Sequence, residues 1–129
     1  MPTYDAEHYD PPAPIAEVSL RDPKSGAVVP DIRMLLDTGA DITLLPRAAV
    51  ERLNVAPIAE LQFELLGFDG NKSMAQAVDV DMLFLRKAFR GRYLLVDDEH
   101  GVIGRDVLAA ISLLFDGPNQ GWFETTSTS

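Results

Sequence analysis

A chain of 129 residues, 47% hydrophobic and 8% aromatic, is long enough for one domain with a packed core and too short for two. Its lack of cysteine excludes a disulfide framework, a zinc-thiolate centre and a cysteine nucleophile. A formal net charge of −9 argues against nucleic acid as a partner, because phosphate binding depends on Lys and Arg displacing counterions.

Residues 1–14 are acidic and Pro-rich without a usable period, which predicts a flexible, solvated tail. His8 among its carboxylates reads as part of that tail and not as a metal ligand. Met1 to Asp5 lack the basic start and apolar core of a signal peptide. No apolar run reaches the roughly 20 residues of a membrane helix, so the chain is expected to be cytoplasmic, with no membrane partner.

Ile15 to Leu20 alternate loosely, Asp22-Pro23-Lys24-Ser25-Gly26 supplies turn chemistry, and Val28 to Leu36 continue extended. Pro30 marks an edge or a bulge, since proline cannot donate to a ladder. This hairpin delivers Asp37 into Leu35-Leu36-Asp37-Thr38-Gly39-Ala40-Asp41-Ile42-Thr43-Leu44-Leu45, one carboxylate on a glycine turn between two apolar runs. An ionisable group at the tip of a buried strand carries a desolvation cost, and the small residues beside it permit close backbone approach. That combination points to a site centred on Asp37.

Pro46 to Leu53 suit a short helix with Val50 and Leu53 inward. Ala59 to Phe68 and Lys72 to Val80 read as two arms around a Gly67-to-Asn71 turn, on the residues alone an ordinary surface hairpin. Asp79 and Asp81 share one side of the following strand and read as a solvated face. Tyr93 to Val96 form a buried strand. The Asp97-Asp98-Glu99-His100-Gly101 loop has no recurrent ligand spacing, and no metal site is expected there. Val107, Leu108, Ile111 and Leu114 predict one helix over 104–114. Phe115 and Trp122-Phe123-Glu124-Thr125 flank a turn as a closing hairpin, whose apolar strand near the terminus invites pairing with another chain. The organisation is therefore a tail at 1–14, a domain at 15–125 and a disordered end at 126–129, with no internal repeat.

The Leu-Leu-Asp-Thr-Gly-Ala-Asp segment, followed by Thr-Leu-Leu-Pro, resembles the active-site segment of the retropepsin-like aspartic proteases. Val102-Ile103-Gly104-Arg105-Asp106-Val107-Leu108 is similar to the family's late apolar-apolar-Gly-Arg-Asp/Asn segment, in the correct order. The resemblance covers about residues 15–117 and implies a mainly all-β acid-protease barrel with one or two short helices and a flap hairpin, assembled as a C2 homodimer. It implies catalysis by Asp37, Thr38 and Gly39. Ala40, Asp41, Val102 and Ile103, with the flap residues Leu66, Gly67, Phe68, Asp69 and Gly70, are implied to contact a peptide substrate. Arg105 is implied to form a buried ion pair with Asp41 as structural support.

No cofactor is expected. The family's chemistry needs two carboxylates sharing a proton, and the chain supplies one Asp-Thr-Gly, so an active enzyme would need Asp37 from each of two subunits. Ala40 stands where two-lobed relatives carry Ser or Thr, which implies a dyad with raised pKa values. A peptide-binding or regulatory module that keeps the fold without turnover is the alternative, because fold does not guarantee function.

Overall fold

The computed structural model describes residues 2–59, 61–66 and 70–126. Its strands are β1 (Tyr4–Asp5), β2 (Ala13–Arg21), β3 (Val28–Leu36), β4 (Leu44–Pro46), β5 (Gln62–Leu66), β6 (Lys72–Phe84), β7 (Lys87–Val96), β8 (Gly101–Ile103), β9 (Leu113–Asp116) and β10 (Gly121–Glu124). Two short helices, α1 (Arg47–Leu53) and α2 (Arg105–Leu108), interrupt them. Eight strands form one sheet in the order β1-β2-β3-β8-β4-β7-β6-β5, and β6 also pairs with β2, so the pairings from β2 round to β6 close on themselves. Strands β9 and β10 make a separate two-stranded sheet.

Alternation explains which faces meet inside. Val18 and Leu20 of β2, Ile32, Met34 and Leu36 of β3, and Val78, Val80, Met82 and Phe84 of β6 all point into one core. Helix α1 covers part of it with Ala49, Val50 and Leu53. Pro46 sits at its N-cap, extended at φ −62, and Asn54 ends it in the left-handed region. The β2–β3 turn is built as its residues suggest: the Asp22 carboxylate accepts from Lys24 N and Ser25 Oγ, and Gly26 adopts φ 79. Opposite Pro30, the register slips between Val18 and Leu20, with Asp31 at φ 60, so the expected bulge is present.

Three expectations are corrected here. The N-terminal segment is not a free tail: Tyr4 and Asp5 pair with Pro14 and Ala13 in β2, Tyr4 N donates to Gln120 O, and Asp5 is only 6% exposed. The helix expected over 104–114 is confined to Arg105–Leu108, because Leu113 and Leu114 are drawn into β9 against Glu124 and Phe123. Asp81 does not lie on a solvated face. It stands opposite Arg21 of β2 and Arg90 of β7 in register, and both guanidinium groups fork onto its carboxylate at 2.8–3.3 Å, leaving it 1% exposed. Its exposed neighbour Asp79 pairs with Arg92 in the same manner.

A smaller apolar cluster lies apart from the main core. Ala75, Ala77 and Leu94 are buried there, with Ile42, Leu44, Ile58, Leu61 and Leu65 packed around them. It joins the base of the β5–β6 hairpin to the segment that leads out of the Asp37 loop.

Candidate active site

Strand β8 sets the position of Asp37. It runs parallel to β3, with Leu35 beside Val102 and Leu36 beside Ile103, and meets β4 on its other side through Leu44. The 37–43 loop must therefore cross the end of β8, where Asp37 N donates to Ile103 O at 3.1 Å. Immediately beyond, the backbone of Gly104 passes under the same loop. A Cβ at Gly104 would fall 2.7 Å from Ile42 O and 2.9 Å from Ala40 O, so the crossing needs glycine there.

The loop is fixed at both ends. Ala40 N donates to Asp37 O, Arg105 N donates to Ala40 O at 2.8 Å, and the Arg105 guanidinium donates to Thr38 O at 2.6 Å. The half-buried Asp37 side chain accepts the Gly39 amide on Oδ1 at 2.8 Å, which fixes the carboxylate against its own loop. Thr38 and Gly39 are exposed, and among the described residues the Thr38 hydroxyl meets no partner within the chain.

Beneath the loop lies a polar knot, with Thr43 and Gly104 buried and Asp106 at its exposed edge. Thr43, with no exposed surface, donates its hydroxyl to Asp106 Oδ1 at 2.7 Å and its amide to Asp106 Oδ2 at 3.0 Å, while its hydroxyl oxygen accepts the Gly104 amide at 3.1 Å. Leu94 N donates to Thr43 O, extending the knot to β7. Thr43 and Asp106 are the supports that the sequence reading passed over. The signal was present in the spacing, since a hydroxyl six residues after Asp37 and an acid following Gly-Arg are complementary partners.

Two expected roles change. Arg105 and Asp41 are both exposed and form no ion pair among the described residues; the guanidinium is used by the Thr38 carbonyl instead, so it braces the loop directly. Ile103 has no exposed surface and belongs to the core below the site, leaving its half-buried neighbour Val102 as the member of the pair that faces outward. Adjacent residues on a strand point to opposite faces, so the two could not share one role. Ala40 is half-buried and Asp41 lies at the loop edge. Gly70 is exposed at φ 82, whereas Gly67, Phe68 and Asp69 lie outside the described residues.

Comparison with known proteins agrees with this geometry. The family model described as aspartyl protease matches residues 24–107, a span that holds both the Asp37 loop and the Gly104-Arg105-Asp106 entry to α2. Among solved structures, the chain is similar to the EIAV protease complexed with the inhibitor HBY-793. The identity is 25% and the TM-score 0.55, over 84% of this chain and 92% of that one. No curated protein sequence matches. With a family match over well more than half its length, and a fold shared with a retroviral protease, the chain belongs to the retropepsin-like aspartyl proteases.

Proposed function

We propose that the protein is a homodimeric aspartic endopeptidase in which Asp37 of each subunit contributes one carboxylate of the catalytic dyad. The observation that carries this reading is the braced Asp37 loop: an oriented carboxylate at the end of a buried strand, with a Thr38 hydroxyl that has no partner among the described residues and is available to a second copy. Like charges at hydrogen-bonding distance cannot both ionise easily, so the pair titrates in coupled steps. In the singly protonated state the ionised carboxylate takes a proton from a bound water, which attacks the scissile carbonyl. The protonated carboxyl donates to the carbonyl oxygen, and no covalent intermediate forms.

The substrate is an extended peptide that adds a strand between the cleft floor and the β5–β6 hairpin, which serves as the flap. Ala40, Asp41 and Val102 line the floor beneath that hairpin. The apolar cluster under the hairpin base supports a preference for apolar side chains flanking the scissile bond. The second copy has a surface to meet: Leu114 and Phe123 stand opposite each other in register on the face of the β9–β10 hairpin away from buried Trp122, and are 42% and 41% exposed.

The test is cleavage of an unbiased peptide mixture from about pH 4 to about pH 7 by wild type and Asp37→Asn, with molecular mass recorded in the same buffer. The expected result is a dimer whose cuts fall by at least about a thousandfold in the variant, in line with loss of acid–base catalysis. A dimer whose cuts survive in Asp37→Asn would refute the assignment, and a monomer without activity would leave the peptide-binding module as the function.

A further inference from the structure

Asp5, His8 and His100 converge where the N-terminal segment crosses the loop between β7 and β8. The Asp5 carboxylate is held in place by its own turn, Oδ1 accepting the amides of Glu7 at 2.8 Å and His8 at 3.0 Å. Its other oxygen, Oδ2, faces His8 Nδ1 at 2.8 Å and the Arg33 guanidinium at 3.2 Å. The two imidazoles meet edge to face with ring centroids 5.0 Å apart. One donor atom from each of the three residues lies within 4.8 Å of the other two, the one such group among the described residues.

We propose that this trio is a binding site for a divalent first-row cation of the zinc type, with Asp5 Oδ2, His8 and His100 as ligands and water completing the shell. Two imidazoles and one carboxylate are a donor set that suits zinc or cobalt better than calcium or magnesium, which favour all-oxygen shells. Bond lengths near 2.0–2.2 Å place tetrahedral donors roughly 3.3 Å apart, so the cluster contracts modestly on binding. The His8 side chain is about half exposed and can make that movement, while the two backbone amides on Oδ1 keep Asp5 aimed. Arg33, its side chain a little under half exposed, gives up its contact with Oδ2 and turns to solvent. Tyr9 reaches His100 Nδ1 at 3.2 Å, which leaves Nε2 as the ring's ligand atom. Asp98 and Glu99 border the same depression, of about 270 Å³, and add negative potential.

The consequence is mechanical. Residue 101 begins β8 directly after His100, and Val102 of β8 pairs with both Leu35 and Leu44 on either side of the Asp37 loop. A bound cation ties the N-terminal segment to the strand that positions Asp37. The site does not depend on the protease reading and can be tested without any activity assay.

The experiment titrates the metal-free full chain with Co²⁺ and Zn²⁺, following cobalt absorption, heat of binding and thermal unfolding, for wild type, His8→Ala and His100→Ala. The expected outcome is saturable one-to-one binding that raises the melting temperature and weakens by at least about tenfold in each variant. Because the chain has two histidines, proton resonances of both imidazoles in the wild type must shift with the metal, a readout that needs no variant to fold. Absence of saturable binding, equal affinity in either variant, or a shift of one imidazole alone would overturn the proposal.

Discussion

Thr43 shows how one side chain can hold the Asp37 loop from its far end. Its hydroxyl both gives and takes a hydrogen bond, linking the acid that opens α2 to the glycine that passes under the loop. Thr43→Val keeps the shape but leaves the buried Gly104 amide without its partner and removes a bond to the exposed Asp106 carboxylate, at a cost of about 1–3 kcal/mol in unfolding free energy. Denaturant titration measures that loss, and cleavage assays on the same variant are expected to show a lower kcat as the loop loosens. Asp5 gives a second expectation at this scale. The His8 amide, with further help from the His8 ring and the Glu7 amide, lowers its pKa from 3.8 to about 2 against the opposing effect of burial. Asp81 is shifted the same way, by Arg90 first and then Arg21. A carboxyl depressed in the folded state contributes stability that is complete above its unfolded pKa and is lost as pH falls through the folded value. The melting temperature should therefore drop progressively between about pH 4 and pH 2, and Asp5→Asn should flatten that decline. A variant with the wild-type slope would remove Asp5 from the account.

Among the elements, the β9–β10 hairpin depends most on one anchor. It is a separate two-stranded sheet, and such ribbons are marginal in water unless they pack on something. Trp122 supplies the packing: it is buried, lies 6.0 Å from Phe84 between ring centroids, and donates its indole N–H to Ile15 O at 3.0 Å. Trp122→Ala should cost about 3–5 kcal/mol, measured by chemical denaturation with circular dichroism. In the wild type the same tryptophan, unique in the chain, gives a fluorescence signal whose red shift reports hairpin release. The corrected helix belongs to this element too. Periodicity through Leu114 was genuine, but cross-strand pairing of Leu113 and Leu114 outweighed one more turn of helix.

At the scale of the molecule, the proposed function rests on assembly. Leu114→Glu together with Phe123→Glu places two charges on the outward face of the hairpin without touching the Trp122 face. Sedimentation should show the proposed dimer replaced by monomer and cleavage should vanish, with the circular dichroism spectrum unchanged. A dimer that persists would shift the interface elsewhere. Wild-type melting temperature should also rise with protein concentration, as mass action requires of a dimer that stabilises its subunits.

Local order was legible from the residues alone. The hairpin before Asp37, the bulge at Pro30, the short helix after Pro46, the closing hairpin and the two motifs that identify the family all follow from turn chemistry, alternation and short spacing, which act between near neighbours. What the chain's ends and strand partners do was settled only in three dimensions. Asp81 looked solvated because Arg21 lies sixty residues away, and strand register alone sets that arginine across from it. Arg105 was expected to seek Asp41, yet the geometry of the crossing brings its guanidinium to the Thr38 carbonyl. His8 and His100, unremarkable in their own segments, become neighbours because β1 docks on β2. Composition and periodicity encode which side of an element faces inward; they do not encode which distant element it meets, and polar partnerships form between such elements.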